Sequence, residues 1–207
     1  MADLFVSAFV TLFVVIDPIG CAPIYAGMAR GAPEAQFREM AIRAIVISTG
    51  VLAFFALLGE RLLSALHIEL DAFRIAGGIM LFVIALEMVF EKRTERRERR
   101  VEQLQATPEV EDVSVFPMAM PMIAGPGSIA TVMLLMGRAE GLGSTFVVLG
   151  ALGAVLLVTA LALLLARPLM RLLGSRAEAV ISRMLGVLLG ALAAQYVIDG
   201  VRAALHL

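Results

Sequence analysis

Long apolar runs separated by short polar stretches dominate the chain. Six apolar segments are present: Leu4–Ala29, Ala44–Gly59, Ile75–Leu86, Val113–Gly137, Gly141–Ala166 and Met184–Ile198. A membrane-spanning helix needs about 20 predominantly apolar residues, and the first, fourth and fifth segments reach that length alone. The others reach it with charged residues near the interfaces, where long side chains extend to water. The pattern therefore predicts an all-α polytopic membrane protein with six transmembrane helices.

Composition agrees with this fold class. Of 207 residues, 60% are hydrophobic and only 17% are charged, which is too little polar surface for a soluble domain of this size. The net charge of −1 gives no reason to expect nucleic acid as a partner, so the expected surroundings are the lipid bilayer. The N-terminus has neither a basic stretch nor a small-residue cleavage site, so we expect the first segment to stay in the mature protein.

The positive charges predict the orientation in the membrane. The charged stretch 91–112 joins the third and fourth spans, and 13 of the 17 Lys and Arg residues lie in the loops between spans 1 and 2, 3 and 4, and 5 and 6. Loops that are rich in Lys and Arg stay in the cytoplasm. We therefore expect both termini outside the cytoplasm, in the bacterial plasma (inner) membrane.

Two spans contain helix breakers near their middle. Asp17 precedes Pro18 in the first span, and Gly125 precedes Pro126 in the fourth. Proline lacks an N–H and is favoured at the first position of a helix, while Asp is a strong N-cap. Each of these spans is therefore predicted to stop and restart inside the bilayer, although one such proline alone is more typical of a kink.

The two breaks belong to a weak internal repeat. An offset of 108 aligns Pro18 with Pro126, Met28 with Met136 and Arg30 with Arg138; an offset of 109 aligns Arg74 with Arg183 and Gly77 with Gly186. Because each half has three spans, the second half must enter the membrane from the opposite side. This predicts an inverted 3+3 repeat with a broken first helix in each half: repeat 1 at 1–90, a cytoplasmic charged loop at 91–112, and repeat 2 at 113–207.

Paired interrupted spans in corresponding positions are typical of transporter binding sites. A helix start presents free N–H groups and a positive dipole end to an anion, and the preceding carbonyls suit a cation or an ammonium group. The predicted solute-binding residues are Asp17, Pro18, Gly20, Cys21, Gly125, Pro126, Gly127 and Ser128. Asp17 could cap its helix, bind a cation or carry a proton, and is the candidate for ion coupling.

Other polar and small residues have simpler explanations. Gly77, Gly78, Gly186 and Gly190 are expected at helix crossings. Glu87 and Asp199, near the ends of the third and sixth spans, are expected at the interface, with a proton path as the alternative. No metal site or cofactor is expected.

Three motifs carry a resemblance to a known family. "DPIG" (Asp17–Gly20), "PMAMPMIAGPGSIATVM" (Pro117–Met133) and "AAQYVIDG" (Ala193–Gly200) resemble the MarC family of bacterial integral membrane proteins, over the whole chain. The family includes small neutral amino-acid transporters. The resemblance implies a plasma-membrane carrier, for example of glycine or alanine, coupled to protons or sodium. The family usually has Asn after DPIG, where this chain has Cys21.

The sequence thus predicts a secondary transporter, not an enzyme, that moves a small zwitterionic solute by alternating access. Two alternatives remain open: a non-transporting membrane scaffold, and an intramembrane enzyme. The scaffold would need neither Asp17 nor the paired breaks. The enzyme is disfavoured because the chain has no HExxH motif and no His within a span to pair with Ser128.

Overall fold

The computed structural model describes residues 1–90 and 112–205, and for residues 170–179 the backbone alone. Within these ranges the chain forms eight helical segments joined by short connections. They are α1 Ala2–Ile16, α2 Pro18–Met28, α3 Glu34–Ala65, α4 Leu70–Val89, α5 Ser114–Ile123, α6 Pro126–Met136, α7 Gly141–Leu164 and α8 Ala166–Ala204. The predicted all-α fold class is confirmed, while most of the predicted loop at 91–112 lies outside the described residues.

The helices have the length and apolarity of membrane spans. Five stretches could cross a bilayer: Ala2–Met28, Glu34–Ala65, Leu70–Val89, Gly141–Leu164 and Val180–Ala204. α5 and α6, bent by 50° at their break, make a sixth crossing when the pair counts as one span. Large apolar side chains such as Leu57, Phe146 and Leu157 are more than half exposed, as expected where helices face lipid. On this count the structure agrees with the predicted six spans.

The first span breaks at Asp17, which ends α1 and starts α2. The backbone there is left-handed (φ 57°, ψ 66°), a conformation that costs a non-glycine residue roughly 1–2 kcal/mol. The Asp17 N–H donates to the Phe13 carbonyl at 2.9 Å, and its carboxylate Oδ1 accepts the Gly20 N–H at 3.0 Å. Pro18 occupies the first position of α2, where a missing N–H has no cost. The predicted stop and restart is therefore present, with Asp17 as its cap.

The first half of the fourth span is less regular than the sequence suggests. α5 contains extended backbone at Phe116 (φ −128°, ψ 128°) and at Met120 (φ −127°, ψ 126°). Each of these residues precedes a proline, Pro117 or Pro121, whose ring disfavours the helical conformation in the residue before it. The half of the span that precedes the break is therefore not a regular α-helix. The chain instead forms short wide turns before α6 begins at Pro126.

α4 and α8 pack antiparallel through small residues. A methyl group at Gly78 would lie 2.9 Å from the Ala193 carbonyl oxygen and 2.7 Å from Val197 Cγ2. A methyl group at Gly186 would lie 3.1 Å from the Ala85 oxygen and 3.1 Å from Val89 Cγ2. Both glycines therefore allow close backbone approach, as predicted for crossings.

The two halves of this crossing correspond residue by residue. Adding 108 to the numbers of Gly78, Ala85 and Val89 gives Gly186, Ala193 and Val197. The contacts of Gly78 with Ala193 and Val197 therefore correspond to the contacts of Gly186 with Ala85 and Val89. The offset of 108 found at the breaks therefore also holds here, without the one-residue slip expected from the sequence. In this correspondence α1, α2, α3 and α4 match α5, α6, α7 and α8. Three further pairs of packed helices then have a packed counterpart: α1–α7 corresponds to α5–α3, α2–α7 to α6–α3, and α2–α8 to α6–α4.

At each end of the helix bundle, charged residues form hydrogen bonds between connections that are expected on the same side of the membrane. At the end of the bundle with the α2–α3 connection, Arg167 donates to Glu34 at 2.8 Å and to the Ala32 carbonyl at 2.7 Å. At the opposite end, Arg138 after α6 donates to Asp199 near the end of α8 at 2.5 Å. The loops therefore fall into the two groups that alternating spans require.

Candidate functional site: a cavity at the second helix break

A cavity of about 500 Å³ lies where the second break meets α2 and α4. Its walls come from α1 and α2, from one face of α4, and from the α5–α6 break. The lining residues are Val15, Ile24, Met28, Ile79, Met80, Val83, Ile84, Glu87, Pro117, Pro121, Met122, Gly125, Pro126, Gly127 and Ser128. Met28, Glu87 and Pro117 all stand near the ends of their elements, so the cavity extends from the break toward the end of the bundle with the α2–α3 connection.

Four of the predicted site residues line this cavity together: Gly125, Pro126, Gly127 and Ser128. They form the start of α6, whose first intrahelical backbone bond runs from the Ile129 N–H to the Gly125 carbonyl at 3.0 Å. Pro126 has no N–H. The N–H groups of Gly127 and Ser128 have no acceptor within the described part of the chain, and Gly125 supplies no side-chain cap.

Ser128 adds a third donor to this helix start. Ser128 has 3% of its surface exposed, and its hydroxyl, at the cavity wall, makes no hydrogen bond to any described residue. Three donors at the positive end of a helix therefore border the cavity without a hydrogen-bond acceptor among the described residues, and this arrangement suits an anionic oxygen.

The two glycines of this break are held closely by protein atoms. A methyl group at Gly125 would lie 2.2 Å from the Pro121 carbonyl oxygen, so only glycine fits there. At Gly127, a methyl group would lie 2.5 Å from Ile84 Cδ1 and 3.4 Å from Val15 Cγ1. The space beside Gly127 thus belongs to the flexible end of the Ile84 side chain, which would have to move before a ligand touched the Gly127 Cα.

The four predicted site residues of the first break are buried and do not line this cavity. Asp17 uses its carboxylate on the Gly20 N–H, and the Cys21 thiol donates to the Ile16 carbonyl at 3.4 Å. Pro18 and Gly20 are likewise buried. The first half instead contributes apolar wall through Val15, Ile24 and Met28. The structure therefore does not bring the two breaks together around one cavity.

Residue sizes at corresponding positions explain why the cavity adjoins the second break. Subtracting 108 converts Gly125, Pro121 and Gly127 into Asp17, Phe13 and Ile19. The first half thus carries larger side chains at these positions, and a carboxylate that caps the helix start from within the chain. In the second half, smaller residues leave space at these positions, and no side chain caps the N–H groups at the start of α6.

Glu87 lines the cavity but is not among the predicted solute-binding residues. It lies on α4 with its side chain partly buried, and it is the only ionisable residue among the described residues that line the cavity. The sequence signal was an acid within the run "IALEMVF", which we placed at the interface because it falls near the end of the span. The corresponding residue in the second half is neutral Gln195.

The opposite end of the bundle carries a closed polar cluster. Arg138 pairs with Asp199 and also lies over the Tyr196 ring, 4.5 Å from its centroid. Gln195 donates to Asp199 at 2.7 Å. Arg30, which corresponds to Arg138 at the offset of 108, is exposed on the cavity side of the bundle. The two arginines therefore differ in their surroundings.

Comparison with known proteins gives the family. A family model described as MarC family integral membrane protein matches residues 2–205. The UPF0056 membrane protein MJ1677 of Methanocaldococcus jannaschii is 34% identical over 201 residues, 97% of each chain. The UPF0056 membrane protein YvbG of Bacillus subtilis is 33% identical over 193 residues, 93% of this chain and 92% of its own. No solved structure matches the chain.

These relatives are described as membrane proteins, and their names indicate no catalytic activity. The match covers nearly the whole chain, including both breaks and the α4–α8 crossing. The resemblance seen in the sequence is therefore confirmed, and the chain is a multi-pass integral membrane protein of the MarC family.

Proposed function

We propose that this protein is a secondary transporter for a small zwitterionic solute of the neutral amino-acid class, of which glycine and alanine are the simplest members. The observation that carries the proposal is the start of α6, where two N–H groups and the Ser128 hydroxyl border the cavity and have no hydrogen-bond acceptor among the described residues. A solute carboxylate satisfies all three, and it brings the negative charge that a helix N-terminus favours.

The first break supports a carboxylate as the ligand group. There the chain supplies its own carboxylate, Asp17, to the corresponding helix start. The second break has Gly125 at the corresponding position, so the matching group has to come from outside the chain. In this proposal the solute carboxylate does at α6 what Asp17 does at α2.

Two acids have roles in the proposal. Glu87 reaches the cavity wall and offers an oxygen to the solute ammonium. Asp17 remains the proposed residue for proton or sodium coupling, because an acid at the centre of a span costs roughly 2.5–3.5 kcal/mol on insertion scales. Its cap on Gly20 accounts for one carboxylate oxygen, and proton binding would weaken that cap. Coupling would then act by changing the stability of the α1–α2 break.

The proposed mechanism is alternating access between inverted repeats at 1–90 and 113–207. Support comes from the antiparallel α4–α8 crossing, whose contacts interchange at an offset of 108, and from the matched packing of the other helices. In such transporters one repeat rocks against the other around a fixed site. The cluster around Arg138 would close one side, while Arg30 would form the corresponding closure in the opposite state.

The positive-inside asymmetry supports an orientation with both termini outside the cytoplasm and the charged loop inside it. In this orientation, in the plasma membrane, the described conformation has its cavity directed to the cytoplasm and the Arg138 cluster closing the outside.

Counterflow into liposomes tests the proposal. The purified full-length protein is reconstituted in phosphatidylethanolamine and phosphatidylglycerol, loaded with unlabelled neutral amino acids, and exposed to labelled ones. We expect labelled solute to accumulate, and accumulation to fall in Ser128→Ala. Ser48→Ala is the matched control, because Ser48 is buried in α3 and donates to the Ala44 carbonyl at 2.8 Å, away from the cavity.

The result also separates the rival functions. A membrane scaffold would exchange no solute from the panel above the level of empty liposomes. An intramembrane enzyme would return the label in a chemically altered molecule. Unaltered solute that exchanges in the wild type supports the transporter, and the absence of exchange for every solute contradicts it.

A further inference from the structure

The cavity has polar groups at the start of α6 and at Glu87, and apolar walls elsewhere. Only Glu87 and Ser128 contribute polar side chains to the described lining. The remaining wall is made of aliphatic, methionine and proline side chains: Val15, Ile24, Met28, Ile79, Met80, Val83, Ile84, Pro117, Pro121, Met122 and Pro126. A ligand held only at these polar groups would leave the apolar surface facing water.

The residues of α4 give the order of these groups along the cavity. Ile79, Val83 and Glu87 are four residues apart, so they lie on one face at steps of about 6 Å. Gly127 lies against Ile84, since a methyl group at Gly127 would be 2.5 Å from Ile84 Cδ1. The donors of α6 therefore face the turn of α4 between Val83 and Glu87, while Ile79 lies further along, away from Glu87.

We propose that the preferred substrate is a neutral α-amino acid with a bulky apolar side chain, such as leucine, valine or methionine, rather than glycine or alanine. This inference rests on the proposed transport function. The substrate carboxylate binds the N–H groups and hydroxyl at Gly127 and Ser128. The ammonium faces Glu87, and the side chain lies along the wall of Val83 and Ile79, which we call the α4 wall.

The size of the cavity favours this substrate class. A volume of about 500 Å³ is within the range of roughly 300–1,000 Å³ that is typical of pockets for drug-sized ligands. Each added methylene in an apolar pocket improves discrimination by about 10–200-fold. Leucine has three more side-chain carbons than alanine, so a preference of at least about tenfold is expected even when most of that discrimination is lost to water or to side-chain motion.

The cavity also has a lateral opening that constrains the choice of substrate. Ile79, Met80 and Val83 keep between 40% and 54% of their surface exposed although they line the cavity, so the α4 wall continues to the outer surface of the bundle. An apolar side chain is compatible with that environment, whereas a polar one is not. A lipid acyl chain is the competing occupant, and the experiment includes it as an outcome.

The test is counterflow with the full-length protein in phosphatidylethanolamine and phosphatidylglycerol liposomes. Labelled glycine, alanine, valine, leucine and methionine are compared by kcat/KM. Three compounds then compete with labelled leucine: 3-methylbutylamine lacks the carboxylate, 4-methylpentanoate lacks the ammonium, and dodecanoate represents a fatty-acid chain. We expect leucine to exceed alanine at least tenfold, and all three compounds to compete at least tenfold less well than unlabelled leucine.

A variant of the α4 wall tests the placement of the side chain. Val83→Phe shortens the space for the substrate side chain, so we expect leucine kcat/KM to fall at least tenfold while alanine changes less than threefold. Val46→Phe is the matched control, because Val46 is 63% exposed on α3 and does not line the cavity. Equal losses for leucine and alanine in Val83→Phe, or the same loss in Val46→Phe, would overturn the placement.

The outcomes distinguish this inference from the function on which it rests. Exchange of glycine and alanine with no preference for leucine leaves the transporter intact and overturns the inference. Exchange of no amino acid overturns the transporter itself. Equal competition by 4-methylpentanoate removes the role of Glu87, equal competition by 3-methylbutylamine removes the carboxylate site, and stronger competition by dodecanoate assigns the cavity to lipid.

Discussion

Replacing Ser128 by alanine separates a binding role from a structural one. Ser128 has 3% of its surface exposed at the start of α6, and its hydroxyl, at the cavity wall, has no hydrogen-bond partner among the described residues. Removing the hydroxyl therefore takes away no hydrogen bond within the described protein. The free energy of unfolding should stay close to the wild-type value, because no such bond is lost.

Binding, by contrast, should weaken. A hydrogen bond to a charged group contributes about 1.5–3 kcal/mol, which corresponds to a loss of affinity of about 10–150-fold at about 1.4 kcal/mol per factor of ten. Ser128→Ala is therefore expected to weaken amino-acid binding at least tenfold, whereas Ser128→Thr keeps the hydroxyl and should retain most of it.

The assay is paired on the same purified protein. Affinity for labelled leucine and labelled alanine is measured by equilibrium binding, and Tm is measured by thermal unfolding in the same detergent. Ser48→Ala is expected to do the reverse: it loses a hydrogen bond to the Ala44 carbonyl, lowers Tm and leaves affinity unchanged. Affinity within twofold of wild type in Ser128→Ala, or affinity lost only together with Tm, would show that the Ser128 hydroxyl does not bind the amino acid.

Three further predictions test other parts of the structure. Asp17→Asn should fold, because Asn caps about as well as Asp, but should lose ion-driven accumulation; normal concentrative uptake would remove Asp17 from coupling. Arg138→Asp and Asp199→Arg should each slow counterflow several-fold, and the double variant should recover most of it if their ion pair closes one side; a double variant no better than either single one would contradict this. In a Cys21→Ser background, cysteines at positions 2 and 138 should react with an impermeant reagent outside intact cells and cysteines at 30 and 96 should not; labelling of 96 from outside would reverse the orientation.

The two breaks could be predicted from sequence because their cause is local. Proline removes an N–H and fixes the backbone at the helix start, and Asp17 is a cap wherever it precedes such a start. Both restarts begin at the predicted residues, Pro18 and Pro126. The turns of α5 follow a local rule as well, since Phe116 and Met120 each precede proline. The apolar residues around them nevertheless resemble a helical span in the sequence.

The location of the cavity could not be predicted, because it depends on side chains that are distant in sequence. From the sequence, Asp17 and Gly125 are equivalent candidates for a ligand site. In the structure Asp17 is buried and caps α2, whereas Gly125 lines the cavity. The sequence shows that Glu87 lies near the end of its span, which favours the interface. Its position relative to Gly127 depends on the packing of α4 on α6, which the sequence does not show.

The repeat was only partly visible in sequence. Pro18 with Pro126 and Arg30 with Arg138 gave the right offset at the breaks, but the alignment of Gly77 with Gly186 introduced a slip. In the structure Gly78, not Gly77, makes the contacts that correspond to those of Gly186. The sequence alone does not distinguish two adjacent glycines, whereas their contacts across the α4–α8 crossing do.

The central claim is that the solute carboxylate binds the start of α6, and solid-state NMR of the reconstituted protein tests it most directly. Pro126–Gly127 is the only Pro–Gly dipeptide in the sequence, so labelling proline with ¹³C at the carbonyl and glycine with ¹⁵N selects one amide, that of Gly127. Leucine or alanine labelled with ¹³C at the carboxylate is then added. A carboxylate bound at the start of α6 should cause dipolar dephasing of the Gly127 ¹⁵N signal that corresponds to a carboxylate carbon within about 4 Å, as a hydrogen bond requires. An undisturbed Gly127 amide in a preparation that exchanges the same amino acid would contradict it.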